Sequence, residues 1–179
     1  MDIFQFLDGH GIAYERHDHP AVFTCEEANR LVPPLPAAKT KNLFIRNKKG
    51  KRHFLVVVGH EKSVDMKALS KVLQAGGLSF GSPRRLHKYL GVDPGAVSLL
   101  GLVNDMAGAV ELIVDQDLWK EKAVQCHPLV NTSTLVVSKE GLERFLAATG
   151  HRASLLEVPG RSESCTELGT AGEGKGFDP

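Results

Sequence analysis

Apolar residues recur along this chain at two periods, and the period changes from segment to segment. Ile3, Phe4 and Leu7 lie at helical spacing within residues 2–9, with Gly11 placed to end the turn. "IAYERHDH" reads as a short strand or extended segment. "TCEEANRL" opens on Thr24 with Glu27 three residues on, a capping-box signature for a short helix. The prolines of "VPPLPAAKT" remove donors and fix φ, so this stretch is a loop, and it leads directly to Lys41. "NLFIR" and "HFLVVV" are β-rich runs separated by "NKKGK", whose Gly50 suits a left-handed turn position. The second run is apolar without alternation, the pattern of a strand buried on both faces.

Helical spacing returns in "SVDMKALSKVLQAGG". Asp65 is the expected N-cap, Met66, Leu69, Val72 and Leu73 form the stripe, and Gly76 is the stop. "SPRRLHKYLG" repeats the logic: Ser82 caps, Pro83 takes the first helical position, Leu86, Tyr89 and Leu90 form the stripe, and Gly91 closes. "VDPGAVSLLGLVND" reads as a turn followed by a strand-like run. "VELIVD", "KAVQCHP" and "STLVVS" are further strands, with "DLWKE" a short helical turn between the first two. Ser138 caps "KEGLERFLAATG", which stops at Gly150, and "ASLLEV" supplies a last strand. Strands arrive mostly as neighbours and helices are interspersed without strict alternation. The expected class is α/β (α+β): one domain over residues 1–159, a mixed sheet with helices packed around it, and not a doubly wound parallel sheet. Residues 160–179 have almost nothing to bury and are expected to form a flexible tail.

Composition narrows the setting. A chain of 179 residues with 42% hydrophobic and 24% charged residues can bury one good core. Its mean hydropathy is −0.14, and no apolar run approaches the ~20 residues that span a bilayer. "MDIFQFLDGHG" lacks the basic region and cleavage site of a secretory signal, so a cytoplasmic protein is expected. Cys25, Cys126 and Cys165 are odd in number and widely spread, which indicates neither a disulfide framework nor a thiolate zinc site. A net charge of +1 argues against bulk nucleic-acid binding. Positive residues do cluster in "RNKKGKRH" (46–53) and "PRRLHK" (83–88), and the plain reading of each is a solvated turn or helix face.

Common catalytic machinery is missing. The chain has no G-x-x-x-x-G-K-[ST], G-x-G-x-x-G or H-E-x-x-H. "HDH" at 17–19 offers two imidazoles without a convincing third metal ligand, so no metal is expected. Cys126 and His127 are adjacent, and on a strand they face opposite sides, so they make no catalytic pair; Cys126 reads as a small core residue. What remains is a polar set at element ends: Lys41 and Asn42 where a loop becomes a strand, the Gly95–Leu99 loop, Asn104 with Asp105, and His127 before a proline. These residues either converge on a small cavity or make ordinary turns and backbone bonds.

"TKNLFIRNKKGKRHFLVVV", "LSFGSPRRLHKYLGVDPGAVSLLGLVND" and "CHPLVNTSTLVVS" stand in the order and spacing of the YbaK/ProX family, which this chain resembles over residues 1 to 150. The resemblance implies a strongly curved mixed sheet, partly barrel-like and wrapped by helices. It implies hydrolysis of the ester that joins a wrong amino acid to the terminal adenosine of tRNA, most closely alanyl-tRNA(Pro), without metal or organic cofactor. Lys41 matches the family's functional lysine, Asn42 its neighbour, and His127 the histidine of the "HP" segment. Gly95, Ala96, Val97, Ser98 and Leu99 form the loop that shapes the aminoacyl pocket. Leu99 departs from the pattern, which has proline there; leucine restores an N–H and adds a flexible side chain.

Under this resemblance Lys41 is a fixed cation on the terminal phosphate or the carbonyl oxygen, and Asn42 positions the substrate through its amide. His127 orients pocket groups, with action as a base its alternative role. The terminal ribose hydroxyl assists the reaction. Asn104 is a further candidate for substrate contact. Lys48, Lys49, Lys51, Arg84 and Arg85 are candidates for the acceptor stem, where guanidinium forks suit phosphates and guanine edges. The partners implied are aminoacyl-tRNA, through its acceptor stem and CCA end, and prolyl-tRNA synthetase. Deacylases for seryl, cysteinyl or threonyl esters, and a binding module without hydrolysis, are the alternative readings.

Overall fold

The computed structural model describes residues 2–21, 30 and 34–161 of the chain. The capping-box helix expected at Thr24–Glu27 and the tail from 162 onward lie outside the described residues. Helix α1 (Ile3–Gly9) starts at Asp2, whose carboxylate accepts the Phe4 and Gln5 amides.

Eight strands occur among the described residues: β1 (Tyr14–Asp18), β2 (Thr40–Asn47), β3 (His53–Gly59), β4 (Leu78–Phe80), β5 (Val110–Asp115), β6 (Ala123–Cys126), β7 (Ser133–Ser138) and β8 (Ala153–Leu156). They form two sheets. One is antiparallel with order β1-β7-β6; the other is mixed with order β4-β2-β3-β5-β8, parallel at β3–β5 and β5–β8. A parallel bridge from Ala38 to Val124 joins the sheets just before β2. The mixed architecture agrees with the expectation, and no closed barrel forms among the described residues.

The unalternating "HFLVVV" run becomes β3, central in the mixed sheet and buried from His53 to Val58. Its two faces feed two cores. Leu55 and Val57 join Phe44, Leu100, Leu112, Leu135 and Phe145 in the larger cluster. Phe54, Val56 and Val58 join Ile45, Leu69 and Ile113 in the smaller one. Gly50 takes φ 66 in the β2–β3 turn, as its position predicted.

Helix α2 (Met66–Val72) is capped by Asp65, which accepts the Lys67 and Ala68 amides. It stops before Gly76, because Gln74 already enters the left-handed region at φ 50. Val72, expected on the buried stripe, is therefore exposed at the last turn. Helix α3 (Pro83–Leu90) follows its sequence signals fully, from the Ser82 cap to Gly91 at φ 64. Strand β4, between them, has too few residues to give a periodicity. Gly81 beside it is required, since a Cβ there would meet the Phe44 ring at 2.4 Å.

The strand expected in "SLLGLV" is a 3₁₀ helix, Leu99–Asn104. Ser98 caps it by accepting the Leu100 amide at 3.2 Å. Gly101 lets it approach α3, where a Cβ would sit 3.2 Å from the Leu90 Cβ. A wholly buried apolar run carries no period that separates strand from helix. Helix α4 (Gln116–Trp119) follows β5, and α5 (Lys139–Thr149) runs from the Ser138 cap to Gly150 at φ 74. The chain stays tied beyond residue 159: Gly160 bridges to Val64, and the Arg161 amide donates to the Ser63 carbonyl at 2.8 Å.

Candidate active site

Strand β2 carries the signature "TKNLF", and its two-residue period divides those residues between two faces. Asn42 pairs across the ladder with Val57, which belongs to the larger core, while Lys41 pairs with Val58 of the smaller one. Thr40, Asn42 and Phe44 share one face; Lys41, Leu43 and Ile45 share the other. The Lys41 ammonium donates to the Lys62 carbonyl at 3.0 Å, and Lys62 is itself paired at 2.8 Å with the buried carboxylate of Asp115. The structure thus brings Asn42 to the face of the larger core and does not bring Lys41 there.

Asn42 is held by a neighbour that sequence reading passed over. Thr40 Oγ1 donates to the Gln125 carbonyl at 2.8 Å, and Asn42 Nδ2 donates to Thr40 Oγ1 at 3.4 Å. Gln125 is buried and ties β6 to the incoming loop: its amide N–H donates to the Ala38 carbonyl and its Nε2 to the Ala37 carbonyl, both at 2.9 Å. Asn42 Oδ1 is enclosed and has no partner among the described residues. The shared face at i−2 was the signal that could have found Thr40; nothing local marks Gln125, which is 85 residues away.

His127 follows Gln125 by two residues, just beyond β6. Its Nδ1 donates to the Ser133 carbonyl at 3.1 Å, which leaves Nε2 as the acceptor of a neutral ring. Burial pushes its pKa below the ordinary histidine value; the Ser133 carbonyl opposes that, and His19 adds to the lowering. The His19 ring is 6.4 Å away, and its own nitrogens bond the Pro20 carbonyl and Thr134 Oγ1. The first histidine of "HDH", His17, lies instead against Glu15. Cys126 points into the larger core, as expected, and burial raises its thiol to about 12, so it is no nucleophile.

The Gly95–Leu99 loop reaches the same core. Gly95 sits at φ 93, Ala96 and Leu99 are buried in the larger cluster, and Val97 packs against it. Ser98 is fully buried as the 3₁₀ cap. That cap and the left-handed glycine shape the loop. Asn104 is used differently: its Nδ2 donates to the Leu90 carbonyl at 2.9 Å and lies where a Cβ on Gly91 would come within 2.7 Å. It closes the end of α3.

Residues 19–145 match the aminoacyl-tRNA editing domain family. The chain is 37% identical over 152 residues to the prolyl-tRNA editing protein ProX of Acetoanaerobium sticklandii, covering 85% of this chain and 93% of that one. It is 34% identical to prolyl-tRNA synthetase associated domain-containing protein 1 of Danio rerio, over 87% of this chain and 85% of that one. The chain belongs to the aminoacyl-tRNA editing domain family. A crystal structure of a candidate trans-editing enzyme for prolyl tRNA synthetase shares the fold, with TM-score 0.61 at 20% identity over 85% of this chain and 92% of that one.

The editing domain also joins its two basic clusters into one surface. Arg85, on α3, donates through Nη1 to the Gly50 carbonyl at 3.2 Å and to His53 Nε2 at 2.7 Å, stapling the helix to the β2–β3 turn. His53 is buried against Phe44 and Tyr89; that burial, with Arg85 beside it, lowers its pKa and keeps it a neutral acceptor. Arg46 holds the turn from the other side through the Asn47 and Lys48 carbonyls. Lys48, Lys49, Lys51 and Arg84 are left exposed around this staple. Arg52 does not join them, being paired with both oxygens of Glu111 at 2.7 Å.

His127 sets a pH dependence for the editing domain. Its folded pKa lies below the unfolded one, so protonation is disfavoured in the fold, and its contribution to stability is lost as pH falls below about 6.5. If Nε2 must stay an acceptor, kcat/KM for deacylation is expected to be flat from pH 8 to about 6.5 and to drop below that. A His127→Gln variant is expected to lose the drop. A wild-type profile already falling between pH 8 and 7 would remove His127 from this role.

Proposed function

We propose that this aminoacyl-tRNA deacylase acts in trans on tRNA(Pro) charged with alanine, through the face of β2 that carries Asn42. The observation that carries the reading is the enclosed Asn42 Oδ1, without a partner among the described residues, within a chain that matches an editing family. The relative named a prolyl-tRNA editing protein supports the choice of tRNA.

The ester is already activated, so the site has only to orient water and stabilise charge. Water attacks the carbonyl carbon, the C–O bond to the ribose breaks, and the departing ribose oxygen takes a proton. The neighbouring ribose hydroxyl assists, with the neutral His127 Nε2 as the acceptor that orients it. Ala96, Val97 and Leu99 wall the space for the amino-acid side chain. A small pocket excludes the ring of proline by size, a discrimination that tighter binding of the smaller alanine does not supply. Lys41, on the opposite face, is assigned to the terminal phosphate rather than to the carbonyl oxygen. Lys48, Lys49, Lys51 and Arg84 contact the acceptor stem, and Arg85 holds their surface in shape. Prolyl-tRNA synthetase is the partner that would supply the substrate, and the cytoplasm is the compartment assigned to the reaction.

The test is deacylation of tRNA(Pro) charged with alanine, serine, cysteine, threonine or proline. Alanine is expected to be released fastest and proline retained. Lys41→Ala is expected to raise KM by about 10-fold, the scale of one hydrogen bond to a charged group, with kcat kept. Release of every ester at the rate in buffer alone would end the deacylase reading. A kcat effect confined to Lys41 would move the phosphate assignment back to the carbonyl.

A further inference from the structure

A threonine hydroxyl has one hydrogen. Thr40 gives it to the Gln125 carbonyl at 2.8 Å, so towards Asn42 its oxygen can only accept. The amide group facing it at 3.4 Å is therefore Nδ2, and Oδ1 points the other way. The reverse orientation would set two acceptors against each other and leave an amide NH₂ without its partner. The Gln125 carbonyl that receives the hydroxyl hydrogen belongs to a residue anchored at Ala37 and Ala38, so the relay rests on backbone rather than on a free side chain.

The result is an oriented acceptor. Asn42 Oδ1 is shielded from water and has no donor among the described residues, a state costly enough that buried acceptors rarely stay in it. An aminoacyl ester brings one charged donor, its α-ammonium, and desolvation strengthens an ammonium bond to such an oxygen.

From this we infer that Thr40 is a positioning residue which, through its bond to the Gln125 carbonyl, holds Asn42 Oδ1 as the acceptor for the α-ammonium and so makes the site select esters with a free α-amine over N-acylated ones. The inference rests on the Asn42 face being the aminoacyl site. It goes beyond that reading in assigning which substrate group Asn42 takes and what fixes its amide.

Two measurements separate the claims. Binding of 3′-alanylamino-3′-deoxyadenosine, a stable amide in place of the ester, is compared with its N-acetyl form by calorimetry. Hydrolysis of alanyl- and N-acetylalanyl-tRNA(Pro) is compared in parallel. Wild type is expected to favour the free amine by about 10- to 100-fold in both. Thr40→Val frees the amide to turn and is expected to remove most of that preference, and Thr40→Ser to restore it. In an Asn42→Asp background both carboxylate oxygens accept, so orientation ceases to matter. There Thr40→Val is expected to leave the preference unchanged, an outcome that a merely destabilising substitution would not give. A wild type without preference, or a Thr40→Val protein that keeps it in full, overturns the inference even where hydrolysis is intact. Preference in binding without hydrolysis of any ester would sustain the inference and end the deacylase reading.

Discussion

Asn42→Leu is expected to make the protein about 10- to 100-fold less active, the scale of one hydrogen bond to a charged group, while leaving it as stable or more so. The activity loss follows from removing the oriented acceptor. The stability gain has a separate cause: Asn42 Oδ1 is enclosed without a partner among the described residues, and leaving a buried acceptor unmade costs about 1–3 kcal/mol. Leucine is similar in shape and has no polar atom to strand. Its loss of the 3.4 Å bond to Thr40 is small, because Thr40 keeps the shorter bond to Gln125. Single-turnover deacylation and thermal unfolding of the same preparation measure the two effects. An Asn42→Leu protein that is destabilised by more than about 1 kcal/mol would mean that Oδ1 is satisfied in the native state. Unchanged activity would mean that the site lies elsewhere.

Asp105→Ala is expected to have the largest effect on stability, about 3–5 kcal/mol, as when one partner is removed from a buried pair. The Asp105 carboxylate is buried and accepts three bonds: from the Ala109 amide at 3.0 Å, the Val110 amide at 2.7 Å and His151 Nε2 at 3.2 Å. Alanine would strand two backbone donors at the start of β5 and the enclosed imidazole of His151 together. A chain of this size loses about 2–4 °C in unfolding midpoint per kcal/mol, so the midpoint should fall by about 6–20 °C. Asp105→Asn keeps an acceptor and should lose less. A fall below about 2 °C for alanine would show that water replaces the carboxylate.

The contrast between side chains that act locally and those that act at a distance explains how much of the molecule could be read from the chain. Asp65, Ser82 and Ser138 act within three residues of themselves, and each cap stands where the sequence put it. Asp105 looked like another turn residue, yet it holds His151 across 46 positions. Residues 99–104 misled because an apolar run buried on all sides has no period to read, and Ser98 and Gly101 decided for a 3₁₀ helix against α3. Lys41 and Asn42 misled in another way: adjacency in sequence suggested one site, whereas adjacency in a strand separates the two side chains by the sheet. Arg85 offered a guanidinium for RNA, and the fold uses it to hold a turn.

Local chemistry was thus settled by the sequence alone. Helix caps, the hairpin turn at Gly50, the doubly buried β3 and the membership marked by "TKNLF" and "HPLVNT" depend on residues close together in the chain, where spacing and φ preferences suffice. The long-range assignments were left to the tertiary structure. The Thr40–Gln125 bond spans 85 positions, and it ties the start of β2 to β6. The Arg85–Gly50 bond spans 35 positions and merges the two basic clusters. No periodicity encodes such contacts; the first of them exists only because two sheets meet at Ala38 and Val124, and there the orientation of one amide is decided.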